Sequence, residues 1–337
     1  DVPKHSFSEH RSEDFPYPIF SNSLREAGLY GFTAEKRAKP DSLTITGRGH
    51  LGHAEYRKES FFPIVRLVTL EPTGDLDAQF TAFSVKQTIE FAIESTGVPQ
   101  LTAPQVGRHM IPAPPISEQR DVARALADAD ALLNSLGELL NKKKAIKEAA
   151  MQELLTGKRR LPGFEGAWEV KRLGDSLTIC HGRHQHDVEV LDGPYPILAT
   201  GGQIGTASRP LCSKPSVLIG RKGTINKPQY METPFWTVDT LFYSEMKNGS
   251  IAKFFYYLFC SIDWMQLNEA SGVPSLNART IESVEVACPG VTEQTAIAAI
   301  LSDIDAELTT LEARHEKTVG LKQGMMQELL TGRIRLQ

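Results

Sequence analysis

Seven residues, Met-Gln-Glu-Leu-Leu-Thr-Gly, occur twice in this chain, at Met151–Gly157 and at Met326–Gly332, each followed by a basic run. The interval, 326 − 151 = 175, holds far beyond the heptamer. From Gly97 to Gly157 the sequence aligns without a gap onto Gly272 to Gly332. Gly97-Val98-Pro99-Gln100-Leu101 falls on Gly272-Val273-Pro274-Ser275-Leu276, and Ser117-Glu118-Gln119 on Thr292-Glu293-Gln294. Upstream the match continues with small gaps. Pro16-Tyr17-Pro18-Ile19 answers Pro194-Tyr195-Pro196-Ile197, Gly47-Arg48 answers Gly220-Arg221, Tyr56 answers Tyr230, and Phe61-Phe62 answers Phe235-Trp236. The period is too long for a solenoid repeat. The chain must fold as two copies of one unit.

At 337 residues there is room for two ordinary domains, and 41% hydrophobic with 23% charged residues is a soluble globular composition. No apolar run approaches the roughly 20 residues that span a bilayer and no secretory signal opens the chain, so a cytoplasmic location without membrane partners is expected. Cys180, Cys212, Cys260 and Cys288 lack CxxC spacing and read as reduced thiols. The net charge of −4 excludes a uniformly basic nucleic-acid coat but leaves room for a local basic strip.

Each copy has two parts. The first holds short β-like runs, such as Ser216-Val217-Leu218-Ile219 and Thr237 to Phe242, separated by Gly- and Pro-containing loops, which predicts a small α/β lobe. The second is a long helix. It follows Pro114-Pro115 or Pro289-Gly290, with Ser117 or Thr292 as the expected N-cap, and stops at Thr156-Gly157 or Thr331-Gly332. Val122, Leu126, Ala129, Leu133, Leu136 and Leu140 form a narrow seam in the first helix, and Ile297, Leu301, Ile304, Leu308 and Leu311 form it in the second. The seam blurs around Lys142-Lys143-Lys144 and His315, then resumes at Ile146, Ala150 and Leu154, and at Leu321, Met325 and Leu329. Two similar seams on one chain are most simply satisfied by each other, as an antiparallel pair about 58 Å long. The expected fold is therefore α+β: two duplicated α/β lobes joined by two long helices in an antiparallel coiled coil, with pseudo-twofold symmetry. The divisions are a first lobe at 1–116, a helix at 117–157, a linker at 158–167, a second lobe at 168–291, a helix at 292–332 and a tail at 333–337.

Two related lobes at a fixed separation suit a DNA duplex read at two half-sites. The lobes' loops have diverged while the helices have not, so the expected target is split and asymmetric. The chain resembles the specificity subunit of type I restriction–modification enzymes across essentially all 337 residues. The resemblance is carried by the Gly97 to Leu101 and Gly272 to Leu276 loops, the Ser/Thr-Glu-Gln helix starts and the heptamer helix ends. Leu161-Pro162-Gly163-Phe164 and Trp168-Glu169-Val170-Lys171-Arg172-Leu173-Gly174-Asp175 add to it. It implies two target-recognition domains and helices that dock two modification (methyltransferase) subunits, which a restriction/translocase subunit can join. S-adenosylmethionine, ATP and Mg are then expected on those partners, and no cofactor in this chain. Nothing before Pro16 matches the opening at Trp168 to Asp175, so the first lobe is expected to lack the start of its pattern, about 15 to 20 residues.

Candidate DNA-contacting residues follow from residue chemistry. Arg221, Lys222, Gly223, Thr224 and Lys227 form a cationic, glycine-containing loop suited to phosphates or guanine edges, and Arg48 and His50 occupy the corresponding loop of the first copy. An ordinary solvated turn is the alternative for both. Gly201, Gly202 and Gln203 lie in a small-residue loop where Gln203 can meet an adenine edge, with Ser21 and Asn22 as counterparts; a plain connector is the alternative. Ser95, Thr96 and Ser271 could reach phosphates or simply shape turns. Gly47 to Gly52 matches GxGxxG, but the helix that fingerprint needs does not follow. His181 to Asp187 is histidine-rich, yet it lacks a second ligand pair and reads as a polar loop. Lys142-Lys143-Lys144, Lys147 and Lys158-Arg159-Arg160 read as a solvated helix face, or as cations for DNA or an acidic partner. Gln152, Glu153, Gln327 and Glu328 are the expected partner-docking residues.

P-loop, methyltransferase, HExxH and GxSxG signatures are all missing, so the chain is expected to do no chemistry itself. With the duplication, the matched seams and the resemblance, the expectation is a non-catalytic, sequence-specific DNA-binding subunit. The alternative is a coiled-coil scaffold whose lobes bind protein, favoured by the acidic pI of about 6.2.

Overall fold

Strand order repeats as the sequence does. The computed structural model describes residues 6–64, 66–91 and 100–336. The first copy runs through β1 (Tyr17–Phe20), β2 (Leu29–Thr33), β3 (Ser42–Thr46), β4 (Ala54–Arg57), β5 (Phe62–Pro63) and β6 (Leu67–Leu70). Helices α1 (Ala78–Thr88), α2 (Ala103–Val106) and α3 (Ile116–Leu154) follow. The second copy opens with β7 (Glu169–Arg172), α4 (Leu173–Ser176) and β8 (Leu177–Cys180). It then repeats the set as β9 (Tyr195–Ala199), β10 (Gly202–Ala207), β11 (Ser216–Gly220), β12 (Gln229–Met231), β13 (Trp236–Thr237) and β14 (Leu241–Met246). It closes with α5 (Ala252–Ser261), α6 (Ala278–Ser283), β15 (Glu285–Cys288) and α7 (Val291–Leu329).

Sheet β2-β1-β5 matches β10-β9-β13, down to the one parallel pairing in each, Ile19 with Phe62 and Ile197 with Trp236. Sheet β4-β3-β6 matches β12-β11-β14, to which the second copy adds β8 as a fourth strand. β7 and β15 form a further two-stranded sheet. The central strands β3 and β11 are buried along their whole length and carry Leu, Ile, Val and Thr, the residues that suit a pleated surface covered on both sides.

The chain divides into two compact units, one of residues 1–138 with 313–337 and one of residues 139–312. Each unit combines a lobe, the start of that lobe's own long helix and the end of the other. In the first unit Phe80 and Phe83 of α1 pack with Val122, Ala123 and Leu126 of α3 and with Met325, Met326, Leu329 and Leu330. In the second, Phe254, Phe255 and Tyr257 of α5 pack with Ile297, Ala298 and Leu301 of α7 and with Ala150, Met151, Leu154 and Leu155. Each heptamer therefore packs into a core formed with the other copy's lobe.

Ion pairs fix the helix direction within each unit. Glu118 and Asp130 of α3 meet Arg335 and Lys322, and Lys143 and Lys147 meet Glu307 and Asp305 of α7, so numbers rise on one helix as they fall on the other. That is the antiparallel pairing expected from the seams. The pairs also account for the lysine cluster: Lys143, Lys144 and Lys147 face Glu307, Glu312 and Asp305 of this chain.

Two expectations are corrected. α3 and α7 begin at Ile116 and Val291, so Ser117 and Thr292 lie inside the first turn and are not N-caps. The anchoring at this point comes from the glutamines. Gln119 is buried, accepts from Asp77 N and donates to Asp75 O and Pro114 O. Gln294 accepts from Ile251 N and donates to Pro289 O. The seam also does not resume at Ile146 and Leu321, which are 44% and 62% exposed. Lys147 and Lys322, one residue later, turn inward instead to Asp305 and Asp130, and their ammonium groups lie over the rings of Tyr257 and Phe83. Among the described residues no helix is long and apolar enough to cross a membrane.

Candidate nucleic-acid interface

In the second unit three short stretches are laced together by main-chain hydrogen bonds. The β11–β12 loop starts at Arg221, whose N–H donates to Thr240 O at 2.8 Å and whose carbonyl accepts from Leu276 N at 2.9 Å. Lys222 forms a β-bridge with Ser275, and Gly223 N donates to Pro274 O at 2.8 Å. Gly223 has φ +94°, and a Cβ there would lie 3.7 Å from Thr200 Oγ1, which brings the β9–β10 hairpin tip alongside. Gln229 secures that hairpin by donating from Nε2 to Ala199 O at 3.0 Å. Gly220 is needed for the loop to close, since a Cβ would stand 2.2 Å from Thr224 O.

The predicted Arg221, Lys222, Gly223, Thr224, Gly201, Gly202 and Ser271 thus belong to one cluster. Arg221, Lys222 and Ser271 line a cavity of about 840 Å³. Arg221 and Lys222 are exposed, and Arg221 Nη1 donates to Asp239 O at 3.3 Å. Lys227 is exposed on the same loop. Gln203 is exposed too, but it sits in strand β10 rather than in a loop: the stretch from Ala199 is a tight β-hairpin. Its amide is used locally, donating from Nε2 to Gly205 O.

Asp239 and Glu269 also line the cavity and were not anticipated. The run Thr237 to Phe242 read as one strand, but β13 ends at Thr237 and β14 begins at Leu241, so Val238 to Thr240 turn and set Asp239 beside Arg221. The arrangement offers cationic donors and carboxylate acceptors on a rigid main-chain frame. Such groups recognise phosphate and guanine on one hand and the cytosine amino group on the other.

The first unit repeats the lacing with different chemistry. Gly47 N donates to Arg66 O at 2.9 Å, Gly47 O accepts from Leu101 N at 2.8 Å, and Arg48 bridges Gln100. These bonds put Gly47 at the place of Arg221 and Arg48 at the place of Lys222, one residue away from the sequence alignment of Gly47-Arg48 with Gly220-Arg221. One cation therefore stands where the second unit has two. His50 is exposed, and its carbonyl accepts from Thr46 Oγ1. Ser21 is half-buried and donates to Gly28 O, closing the β1–β2 loop, while Asn22 Oδ1 is shielded and has no hydrogen-bond partner among the described residues. These two serve their own loop first. Ser95 and Thr96 lie outside the described residues.

Other expectations resolve plainly. Strand β4 follows the Gly47 to Gly52 stretch, so the helix required for dinucleotide binding does not open there. His184 and His186 stack at 4.3 Å in an irregular loop, and no group of metal-binding side chains exists among the described residues. Gln152, Glu153 and Gln327 are exposed and Glu328 half-buried, with Glu153 and Glu328 lying 3.5 and 3.4 Å from Arg159 and Arg333.

Known proteins share this architecture. The sequence pattern of the type I restriction modification DNA specificity domain matches twice, over residues 3–148 and 165–320. A putative type I specificity subunit from Mycoplasma pneumoniae is 27% identical over 132 residues, 39% of this chain and 39% of that one. The match thus spans about two fifths of that relative's length. The type I restriction enzyme MjaVIII specificity subunit of Methanocaldococcus jannaschii is 22% identical over 319 residues, covering 80% of this chain and 74% of that one. The crystal structure of the S subunit of the type I restriction–modification system from M. genitalium shares the fold, with a TM-score of 0.72 at 17% identity over 98% of this chain and 91% of that one. The chain belongs to the family of the type I restriction modification DNA specificity domain, and carries two copies of that domain.

Proposed function

We propose that this chain is the DNA-reading specificity subunit of a type I restriction–modification complex. The observation that carries the reading is the laced loop cluster holding Arg221 and Lys222, which recurs around Arg48 with altered polar groups. A shared frame with different donors is what two readers of two different half-sites require. The target is therefore split and asymmetric, and the two 39-residue helices set its spacer. The helix ends dock two modification subunits, and a restriction subunit joins them. S-adenosylmethionine, ATP and Mg act on those partners, and this chain contributes recognition rather than chemistry.

The test begins by mapping methylated bases in a host that expresses the chain with its partners, then titrates the assembled complex with that duplex. Binding should weaken steeply with salt, and Lys222→Ala should reduce the slope of log K against log salt by about 1, as loss of one phosphate contact does. Arg221→Ala should weaken binding by about 1–3 kcal/mol and relax the preference at one base pair. Changing the spacer by one or two base pairs should abolish tight binding. Equal affinity for every spacer would remove the ruler, and no duplex affinity at any salt concentration would remove the DNA reading altogether.

A further inference from the structure

One β-bulge occurs at the same place in both lobes. In the second lobe β10 pairs with β9 through Gln203 opposite Leu198 and Gly205 opposite Ile197, so Ile204 is the extra residue. In the first, β2 pairs with β1 through Leu29 opposite Phe20 and Gly31 opposite Ile19, so Tyr30 is the extra residue. The register sets Gly28-Leu29-Tyr30-Gly31 against Gly202-Gln203-Ile204-Gly205. The flanking glycines are needed in both lobes. Gly28 and Gly202 have φ +85° and +114°. A Cβ on Gly31 would stand 2.4 Å from the Phe7 ring, and one on Gly205 would stand 3.1 Å from Glu189 Oε1.

An extra residue breaks the alternation of a strand and re-aims its side chains. Gln203 and Ile204 are consecutive, yet both are exposed. Ile204 is 53% exposed and Tyr30 56%. One apolar side chain in solvent is ordinary. The same bulged position exposing one in each lobe is not. Ile204 stays exposed although flanking chain packs on β10, where Val190 N donates to Thr206 O at 2.9 Å. The tip of this hairpin stands beside Gly223, so the bulged strand leads directly out of the cationic cluster. Gln203 Nε2 donates to Gly205 O at 3.2 Å, which fixes the plane of the amide. Its Oε1 and second N–H have no partner among the described residues.

Resting on the DNA reading above, we propose that the bulge in the second lobe reads one A·T pair. Gln203 takes the N6 and N7 edge of adenine, and Ile204 packs on the 5-methyl group of the paired thymine. Tyr30 packs on a thymine methyl group in the other half-site. In the major groove an A·T pair presents an acceptor, a donor and a methyl group side by side. An amide next to a branched aliphatic side chain matches that set, whereas a G·C pair offers no methyl group.

The test uses the full chain assembled with its modification subunits, and the duplex defined by mapping methylated bases. Replacing each thymine in turn by deoxyuridine removes only the methyl group. One position in each half-site should weaken binding about fourfold, the worth of one buried methyl group. Ile204→Ala should lose that sensitivity in one half-site and keep it in the other, and Tyr30→Ala should do the reverse, which separates lost contact from lost fold. At the pair read by Ile204, 7-deazaadenine should weaken the wild type and leave Gln203→Ala unchanged. Tight binding indifferent to deoxyuridine, a half-site without an A·T pair, or sensitivity that survives both variants would overturn this inference alone. Absence of duplex affinity in the wild type would overturn the DNA reading and this inference with it.

Discussion

Arg160 lays its guanidinium along the Glu293 carboxylate, Nε 2.7 Å from Oε1 and Nη2 2.7 Å from Oε2, and Arg335 repeats the contact on Glu118. The last cation of each basic run thus closes onto the first turn of the other long helix, where the dipole also favours the carboxylate. This relationship explains three sequence features together. The Glu of Ser/Thr-Glu-Gln receives the arginine, the Gln ties the same turn to the lobe, and the basic run is placed by the glycine that ends the heptamer, with φ +69° at Gly157 and +72° at Gly332.

Glu293→Gln should lower the melting temperature of the second unit by about 2–4 °C, and by more than Glu118→Gln lowers that of the first. The difference arises because Trp168 Nε1 also donates to Glu293 and ties it to the strand that opens the second copy, whereas the further donor to Glu118 is the main-chain N–H of Leu336 in the chain's last residues. Arg160→Lys keeps the charge but loses the two-point geometry, so it should restore little. Equal shifts for the two glutamates in differential scanning calorimetry would show that the tryptophan bond adds nothing.

Acid should act through Glu118. Hydrogen bonds from Arg335 hold its carboxyl below the ordinary value of 4.5 against a smaller upward push from burial. A group whose folded pKa is depressed stabilises the fold above its unfolded value and loses that contribution as pH falls through the folded one. Urea midpoints of the native chain should therefore fall as pH drops below about 4.5, and Glu118→Gln should lower the neutral-pH midpoint while flattening the acid limb. An unchanged acid limb in the variant would assign the loss to other carboxylates.

The helix seam yields a sharper contrast. Leu126 and Leu301 are fully buried, and truncation of either to alanine should destabilise its unit by about 2–5 kcal/mol. Ile146 and Leu321 read as seam residues from spacing, yet both are exposed, so Ile146→Ala and Leu321→Ala should stay within about 0.5 kcal/mol. Chemical denaturation of the four variants decides it. A large loss at Ile146 or Leu321 would return those residues to the seam.

How much of this was legible follows from where the information lies. The duplication, the two long helices and their pairing were readable because apolar spacing and repeated helix ends are local in sequence. The inward turn of Lys147 and Lys322 was not, because a charge in a seam makes sense only once the register places Asp305 and Asp130 opposite it. Arg221, Lys222 and Ser271 were found by residue chemistry. Asp239 was missed because Thr-Val-Asp-Thr-Leu has the alternation of a strand, and only the closing bond from Arg221 N to Thr240 O reveals a turn. The one-residue offset between Arg48 and Arg221 has the same origin: glycines align easily, whereas hydrogen bonds fix the true equivalence.

The doubled heptamer makes the last prediction. Packing accounts for its leucines, since Leu154, Leu155 and Leu330 are buried, and the turn accounts for its threonine, which donates back to Gln152 O or Gln327 O. Packing does not require Gln152 and Gln327, which are exposed in both copies, or Glu153, which is exposed while its counterpart Glu328 is half-buried. Identical outward residues beside divergent lobes are what two copies of one partner would select. Charge reversal to lysine at Gln152, Glu153, Gln327 and Glu328 together should therefore weaken capture of the modification subunit about tenfold or more while duplex affinity of the chain is retained. Glu153→Gln with Glu328→Gln serves as the control, because those carboxylates also meet Arg159 and Arg333 within the chain. Undiminished capture by the fourfold variant, measured by co-purification at matched salt, would leave the heptamers as helix ends alone.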